Sequence, residues 1–212
     1  MTEELLRKIG EKYELTECGA GEFALLKVKG MKFTIRAFEA KGLGHVSLME
    51  AKGFFGLMKM DTLIVTPSVI DLPLYSYDRI IAMGNDTLIA EYYDTLESEL
   101  SLQPLLEVKE KYADLPERDP GMHWYDSIRF EESVSKKGKK ISGRMNDLAR
   151  DGLTAYLSLP AEKTKDLAAK REKTKVYVEG LLKNGGPSTD VFKKELGEEK
   201  TGTLFRTVLF KI

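Results

Sequence analysis

Two acidic residues, Glu50 and Asp78, stand in stretches that otherwise read as largely apolar β-strands. A carboxylate on an apolar face is costly to bury unless it is paired or protonated. One interpretation is structural, with each acid satisfying backbone donors or pairing with a basic side chain. The other is chemical, because burial can raise a carboxyl pKa until the acid donates a proton near neutrality. The alternation alone favours the structural interpretation.

Alternation of apolar and polar residues predicts the strands that would position these acids. The connections between the four central predicted strands are short. Pro67 ends one of these strands, and Gly84-Asn85-Asp86 forms a hairpin turn. Short connections imply antiparallel neighbours. The six predicted strands span residues 23–28, 31–39, 45–52, 57–66, 73–83 and 88–94.

The second half of the chain changes to a helical period. Helices are predicted mostly over 96–112, then over 145–159, 161–182, 188–196 and 198–210. Strands followed by helices indicate an α+β fold, and central strands that are apolar on both faces require helices on both sides of the sheet. We therefore expect one antiparallel sheet covered by helices.

Composition narrows the class of protein. The 212 residues carry a formal charge of −1, which gives no overall attraction to nucleic acid or to an anionic membrane, so any charge-driven partner must act on a local patch. Neither nucleic acid nor a membrane is predicted as a partner. A single cysteine and the charged N-terminal stretch are consistent with a cytoplasmic protein.

The clearest local charge patch consists of Lys136, Lys137, Lys139 and Lys140. It is either a solvated hairpin tip or a docking patch for an acidic protein. The two histidines, His45 and His123, are too few for a histidine-rich metal site, and a lone histidine is more often structural than catalytic. No metal site is predicted.

Several ordered motifs resemble those of the ferredoxin-dependent bilin reductases, a family related to the red chlorophyll catabolite reductases. A strand ends at Pro67, Asp71-Leu-Pro73 follows, and Asp78 stands five residues beyond that second proline. Glu50 stands seventeen residues before Pro67, at the spacing of a catalytic glutamate in the phycocyanobilin-forming members. The chain also closes with a helix that finishes Val-Leu-Phe210, as the family does.

The resemblance implies a single domain over residues 1–212, a three-layer α/β/α sandwich that holds a linear tetrapyrrole between its sheet and its C-terminal helices. It also implies that no metal or flavin is bound and that reduced ferredoxin supplies electrons one at a time. Asp78 would be the central proton donor and Glu50 a second acid. Thr62, Met60 and Ser76 would contact the tetrapyrrole, and the lysines at 136–140 would dock an acidic ferredoxin.

This chain departs from the family pattern at two places. Thr62 stands where the phycocyanobilin-forming members have a catalytic histidine, and no aspartate occupies the turn at 185–187. Three hypotheses follow: a radical-type reductase of a linear tetrapyrrole, a tetrapyrrole-binding or carrier protein of the same fold, and an α+β interaction protein without a ligand. The two departures favour the second over the first.

Overall fold

The computed structural model describes all 212 residues, except for the side chain of Pro187. The eight strands are β1 (Leu15–Glu17), β2 (Leu25–Val28), β3 (Met31–Ala40), β4 (Gly44–Gly53), β5 (Met58–Pro67), β6 (Leu74–Ala82), β7 (Asn85–Tyr93) and β8 (Val134–Gly138). All pairings are antiparallel, in the order β1-β3-β4-β5-β6-β7-β8, and β2 also pairs with β3.

The helices are α1 (Thr2–Gly10), α2 (Gln103–Lys111), α3 (Ser142–Ser158), α4 (Leu167–Asn184), α5 (Pro187–Leu196) and α6 (Glu198–Thr203). The last continues into a π-helical segment, Leu204–Leu209. Asp166 begins α4 by accepting hydrogen bonds from two backbone amides of the first turn. Among the described residues, no helix combines the length and apolar character needed to cross a membrane.

Two hydrophobic cores lie on opposite faces of the sheet. On one face, β-strand residues such as Leu48, Leu63 and Tyr77 pack against α1, α2 and α3. On the other face, residues such as Met49, Ile64 and Leu74 pack against α4, α5 and the C-terminal segment. Because side chains alternate between faces along a strand, each central strand contributes to both cores. The predicted α+β sandwich with an antiparallel sheet is confirmed.

Some boundaries differ from the sequence prediction. The sheet has eight strands, not six, because β1 has only three residues and β8 is rich in lysine. Charged edge strands are common, since the charge opposes pairing with another chain, but they lack the apolar alternation that marks a strand. The predicted helix over 161–182 begins later, at Leu167, since Asp166 caps it there.

A buried ion pair fastens α4 to the loop that precedes β6. Lys170 is almost fully buried, and its ammonium donates to Asp71 Oδ1 at 2.9 Å and to the carbonyl oxygens of Leu72 and Thr95. Asp71 also accepts from the backbone amides of Glu97 and Ser98. Each charge is therefore fully hydrogen-bonded, which is what allows the pair to be buried.

Candidate functional site

A cavity of about 110 Å³ lies between the central strands and the C-terminal helices. Polar side chains line its sheet wall, and mostly apolar side chains from the helices line the opposite wall. This combination of a few polar groups in an apolar enclosure is typical of a small-molecule site. The main lining residues are Met49, Thr62, Ile64, Ser76, Asp78 and Glu91 from the sheet, and Tyr177, Leu181, Thr189, Phe192, Phe205 and Phe210 from the helices.

Asp78 and Thr62 form the polar centre of this wall. They are direct partners in the ladder between β5 and β6, and the Thr62 hydroxyl donates to Asp78 Oδ1 at 2.5 Å. Burial raises the pKa of Asp78 to about 6, against the opposing effect of the Thr62 hydrogen bond and with a further contribution from the charge of Glu91. Asp78 can therefore exist in both protonation states near neutral pH, as a general acid requires.

Glu91 is the second acid of the cavity. It stands opposite Ser76 in the ladder between β6 and β7, on the same face as Asp78. Arg129 donates to Glu91 Oε1 at 3.0 Å, and the Tyr93 hydroxyl donates to Glu91 Oε2 at 2.6 Å. Arg129 is itself held by Asp126 at 3.0 Å. Because both oxygens of Glu91 are engaged, its carboxylate is fixed in position beside Asp78.

An aromatic cluster borders the two acids. The rings of Tyr93 and Tyr177 are 4.4 Å apart, and Tyr125 packs edge-on against Tyr93 at 5.4 Å. Burial raises the pKa of Tyr93 and of Tyr177 well above the usual value, so both phenols remain protonated, and the one hydroxyl proton of Tyr93 is donated to Glu91. Flat, apolar rings with polar edges suit a conjugated, heteroatom-bearing ligand.

Glu50 lies on the opposite face of the sheet, so the prediction that it joins Asp78 in one site is wrong. Its register partner in β5 is Asp61, whereas the partner of Thr62 is Met49. The Glu50 carboxylate accepts from the Thr2 hydroxyl of α1 at 2.5 Å. Burial, together with the nearby charge of Glu50, raises the pKa of Asp61. Glu50 and Asp61 thus form an acidic pair beneath α1, away from the cavity.

Of the three residues predicted to contact the ligand, two line the cavity and one does not. Ser76 and Thr62 line the cavity with Asp78, as the sequence predicted for that strand face. Met60 shares the face but packs on the second core outside the cavity lining. Glu91, in contrast, was missed. It could have been found by the criterion that singled out Asp78, since it is an acid within an otherwise apolar strand.

The four predicted docking lysines also divide. Lys136 belongs to β8 and is buried, where its ammonium pairs with Glu117 and donates to the Leu115 carbonyl at 3.2 Å. The prediction of Lys136 as a docking residue is therefore wrong. Its buried position follows from the alternation along β8, which turns every second side chain inward. Lys137, Lys139 and Lys140 are exposed.

His45 anchors the C-terminal segment to the sheet. Its Nε2 lies 2.7 Å from the carbonyl oxygen of Val208, and the Ser47 hydroxyl donates to the Leu209 carbonyl at 2.8 Å. Both carbonyls belong to the last turn of the C-terminal segment, where a helix has no following amides to pair with them. The structural interpretation of His45 fits this contact. Among the side chains that the structure describes, no group of three potential metal ligands converges.

Comparison of sequences finds no match among family models or curated proteins. Comparison of structures finds the crystal structure of tomato phytochromobilin synthase in complex with biliverdin, at a TM-score of 0.79 and 13% identity. The alignment covers 97% of this chain and 80% of the tomato chain. The chain has the fold of phytochromobilin synthase. The fold that the resemblance to the bilin reductases implied is therefore confirmed, over nearly the whole chain.

Proposed function

We propose that this protein binds a linear tetrapyrrole in the cavity that contains Asp78 and reduces it with electrons from a reduced ferredoxin or a similar acidic carrier. The observation that carries the proposal is the position of Asp78, a partly buried carboxyl group with a pKa of about 6 on the cavity wall. The likeness of the fold to a protein that holds biliverdin supports the choice of ligand.

In this proposal Asp78 delivers protons to the tetrapyrrole. Reduction of one double bond consumes a pair of electrons and a pair of protons, and the carrier supplies the electrons singly. Asp78 protonates the ligand, whose electron uptake makes it more basic, and is then reprotonated from solvent. Thr62 holds the carboxyl group in place by its hydrogen bond. Desolvation keeps a useful fraction of Asp78 protonated near neutrality.

Glu91 has a different role in this proposal. Its two oxygens are occupied by Arg129 and Tyr93, so it is a poor proton donor but a good orienting group. Its negative charge favours the protonated form of Asp78. It also attracts the positive charge that a tetrapyrrole acquires when its nitrogens are protonated. Glu91 therefore takes the second acidic position that the sequence prediction gave to Glu50.

Binding requires the cavity to expand. Its 110 Å³ is smaller than the roughly 300 Å³ at which pockets for drug-sized ligands begin. The element best placed to move is α5, which contributes Thr189 and Phe192 to the lining. Gly185 and Gly197, on either side of α5, both have a φ of 83°, a region in which glycine is unstrained and can act as a hinge.

Anaerobic reaction with biliverdin and a reduced plant-type ferredoxin tests the proposal. Absorbance spectra recorded under single-turnover conditions should show biliverdin bleaching and a shifted product band, at a rate proportional to the protein concentration. A spectrum that shifts on binding, but stays constant when reduced ferredoxin is added, would contradict reduction. One control omits the protein and contains only reduced ferredoxin and biliverdin. The other contains the protein and biliverdin with oxidised ferredoxin in place of reduced ferredoxin.

The second candidate function is tetrapyrrole binding or carriage without reduction. It is favoured by Thr62, which partners Asp78 where the phycocyanobilin-forming members have a histidine. A threonine hydroxyl can orient a carboxyl group but cannot itself relay a proton from an ionised state near neutral pH. A spectral shift on binding, without turnover, is the result that this candidate predicts.

A further inference from the structure

One end of the sheet concentrates positive charge. The turns between β2 and β3, β4 and β5, and β6 and β7 lie at this end with the last residues of β8, because the ladder aligns Lys32, Lys52, Lys59, Ile81 and Asp86 in one row. Segments 27–34, 51–60, 80–85 and 135–141 contain no acidic residue and nine lysines, all of them exposed except Lys136, although acids slightly outnumber bases over the whole chain. The near-zero net charge of the chain therefore hides an uneven distribution, in which positive charge is concentrated at this end of the sheet.

Three of these lysines form a ladder of like charges. Lys32 is directly opposite Lys52, and Lys52 is directly opposite Lys59, so all three side chains project from the same sheet face. All three are exposed, and within the described part of the chain none of them forms an ion pair. Like charges directly opposite each other destabilise a sheet. The acidic pair Glu50 and Asp61 lies two positions further along the same face and offsets part of this repulsion, and an external anion at the end of the sheet would relieve the rest.

Large apolar side chains project from the same end. Phe55 is fully exposed, Met83 is 90% exposed, Leu57 is 71% exposed and Phe54 is 57% exposed. Phe54, Phe55 and Met83 have φ values of 51°, 56° and 50°, in the left-handed region that side-chain-bearing residues rarely adopt. Backbone strain and exposed apolar surface both oppose stability, and both are concentrated at functional surfaces.

We propose that this end of the sheet, which we name the cationic tip, docks on an anionic lipid surface. The tip comprises Phe54, Phe55, Leu57 and Met83 together with the exposed lysines of the four segments. The apolar side chains would enter the interfacial region of the bilayer, while the lysines contact anionic headgroups. The proposal is independent of the tetrapyrrole site, which lies on the central part of the strands.

A lipid surface fits the tip better than an acidic protein does. Phe54, Phe55 and Leu57 project from the connection between β4 and β5 and Met83 from that between β6 and β7, so one protein partner would need to match apolar side chains on both hairpins. A bilayer interface is deformable and accepts such side chains without a matching shape. The expectation of no membrane partner came from the net charge of −1 and from the lack of an apolar run long enough to span a bilayer, and neither describes the local charge at this surface.

Vesicle co-sedimentation of the full chain tests this proposal. The probes are vesicles of pure phosphatidylcholine and vesicles with 30 mol% phosphatidylglycerol, at about 50 and 300 mM salt. We expect binding only to the anionic vesicles, and weaker binding at the higher salt. The triple variant K32Q/K52Q/K59Q should lower the partition coefficient roughly 100-fold, from about fivefold for each lysine. The double variant F54S/F55S should lower it at least tenfold.

A matched variant away from the tip tests whether binding depends on the position of the lysines or only on the number of positive charges removed. K163Q/K183Q/K194Q removes three exposed lysines elsewhere and should leave partitioning within about threefold of the parent chain. Equal binding to both kinds of vesicle, or equal losses in the two triple variants, would overturn the proposal. So would an absence of vesicle binding accompanied by tip-dependent binding of an acidic ferredoxin, since the occupant would then be a protein.

Discussion

The Thr62 hydroxyl donates a hydrogen bond to Asp78 Oδ1 at 2.5 Å, across the ladder between β5 and β6. This contact joins the acid whose pKa burial raises to about 6 to the residue that stands where the phycocyanobilin-forming reductases have a histidine. It also fixes which face of the sheet forms the candidate site. Glu91 lies on that face, whereas Glu50 lies on the other.

Substitution of Asp78 and of Glu50 tests which face of the sheet carries the reaction. Asp78→Asn should reduce the rate of biliverdin reduction by about 100-fold or more, because the amide cannot supply a proton. Glu50→Gln should leave the rate within about twofold, because Glu50 contacts α1 and not the cavity. Both rates are measured in the anaerobic single-turnover assay. Equal losses in the two variants would refute the assignment of the site to one face.

Removal of the Thr62 hydroxyl should shift the titration of Asp78. The hydrogen bond from Thr62 stabilises the charged form, so Thr62→Val should raise the pKa of Asp78 above its value of about 6, by roughly one unit. Thr62→Ser keeps the hydroxyl and is the matched control. The carboxyl carbon resonance of Asp78, followed by NMR as a function of pH, reports this pKa directly. A lower pKa in the valine variant would contradict the contact.

The raised pKa of Asp78 predicts a pH-dependent penalty on stability. Its pKa is about 6 in the folded state and about 4 in the unfolded state, so the folded state binds the proton more tightly. The contribution of Asp78 is therefore most favourable below pH 4 and is lost as the pH rises through 6. The unfolding free energy of Asp78→Asn minus that of the parent chain should therefore increase by up to about 3 kcal/mol as the pH rises from 3.5 to 7.5.

Urea unfolding at pH 3.5, 5 and 7.5 measures this difference. Asp119→Asn, at an exposed position, is the control for loss of one acidic residue. A difference between Asp78→Asn and the parent chain that stays constant over this range would show that Asp78 titrates similarly in the folded and unfolded states. That result would remove the main physical argument for Asp78 as a proton donor.

The sequence was sufficient to predict the central strands and the side of each strand on which a residue lies. It correctly grouped Leu74, Ser76 and Asp78, because the side-chain period of a strand is two. Alternation within one strand, however, does not determine how its two faces align with those of its neighbour. The length and conformation of the turn set the pairing register of the two strands, and a shift of one residue in that register moves every side chain of a strand to the other face.

The connection between β4 and β5 illustrates this limit. Its turn pairs Gly53 with Met58, and from that pairing Met49 falls opposite Thr62 while Glu50 falls opposite Asp61. The turn contains Phe54 and Phe55 in left-handed conformations, which turn propensities do not lead one to expect. The position of Glu50 could therefore not be predicted from alternation, and the family spacing suggested the wrong face.

The ion pair between Lys170 and Asp71 should make a large contribution to stability. Lys170→Met leaves the Asp71 carboxylate buried without its cation, so we expect a loss of about 3–5 kcal/mol in unfolding free energy. The double variant Lys170→Met/Asp71→Asn should recover part of this loss, because no uncompensated charge remains. Urea unfolding of both variants provides the test, with Lys175→Met at an exposed position as control. A loss below about 1 kcal/mol in the single variant would contradict this role.

Biliverdin binding by variants that fill one face of the sheet or the other tests the central claim most directly. Ser76→Trp places an indole in the cavity, whereas Thr34→Trp places one on an exposed part of the sheet, and the urea midpoints of both variants verify folding. The account predicts that micromolar parent protein and Thr34→Trp shift the biliverdin absorption spectrum equally, and that Ser76→Trp weakens binding at least tenfold. Unchanged binding by Ser76→Trp, or no spectral shift with the parent protein, would contradict it.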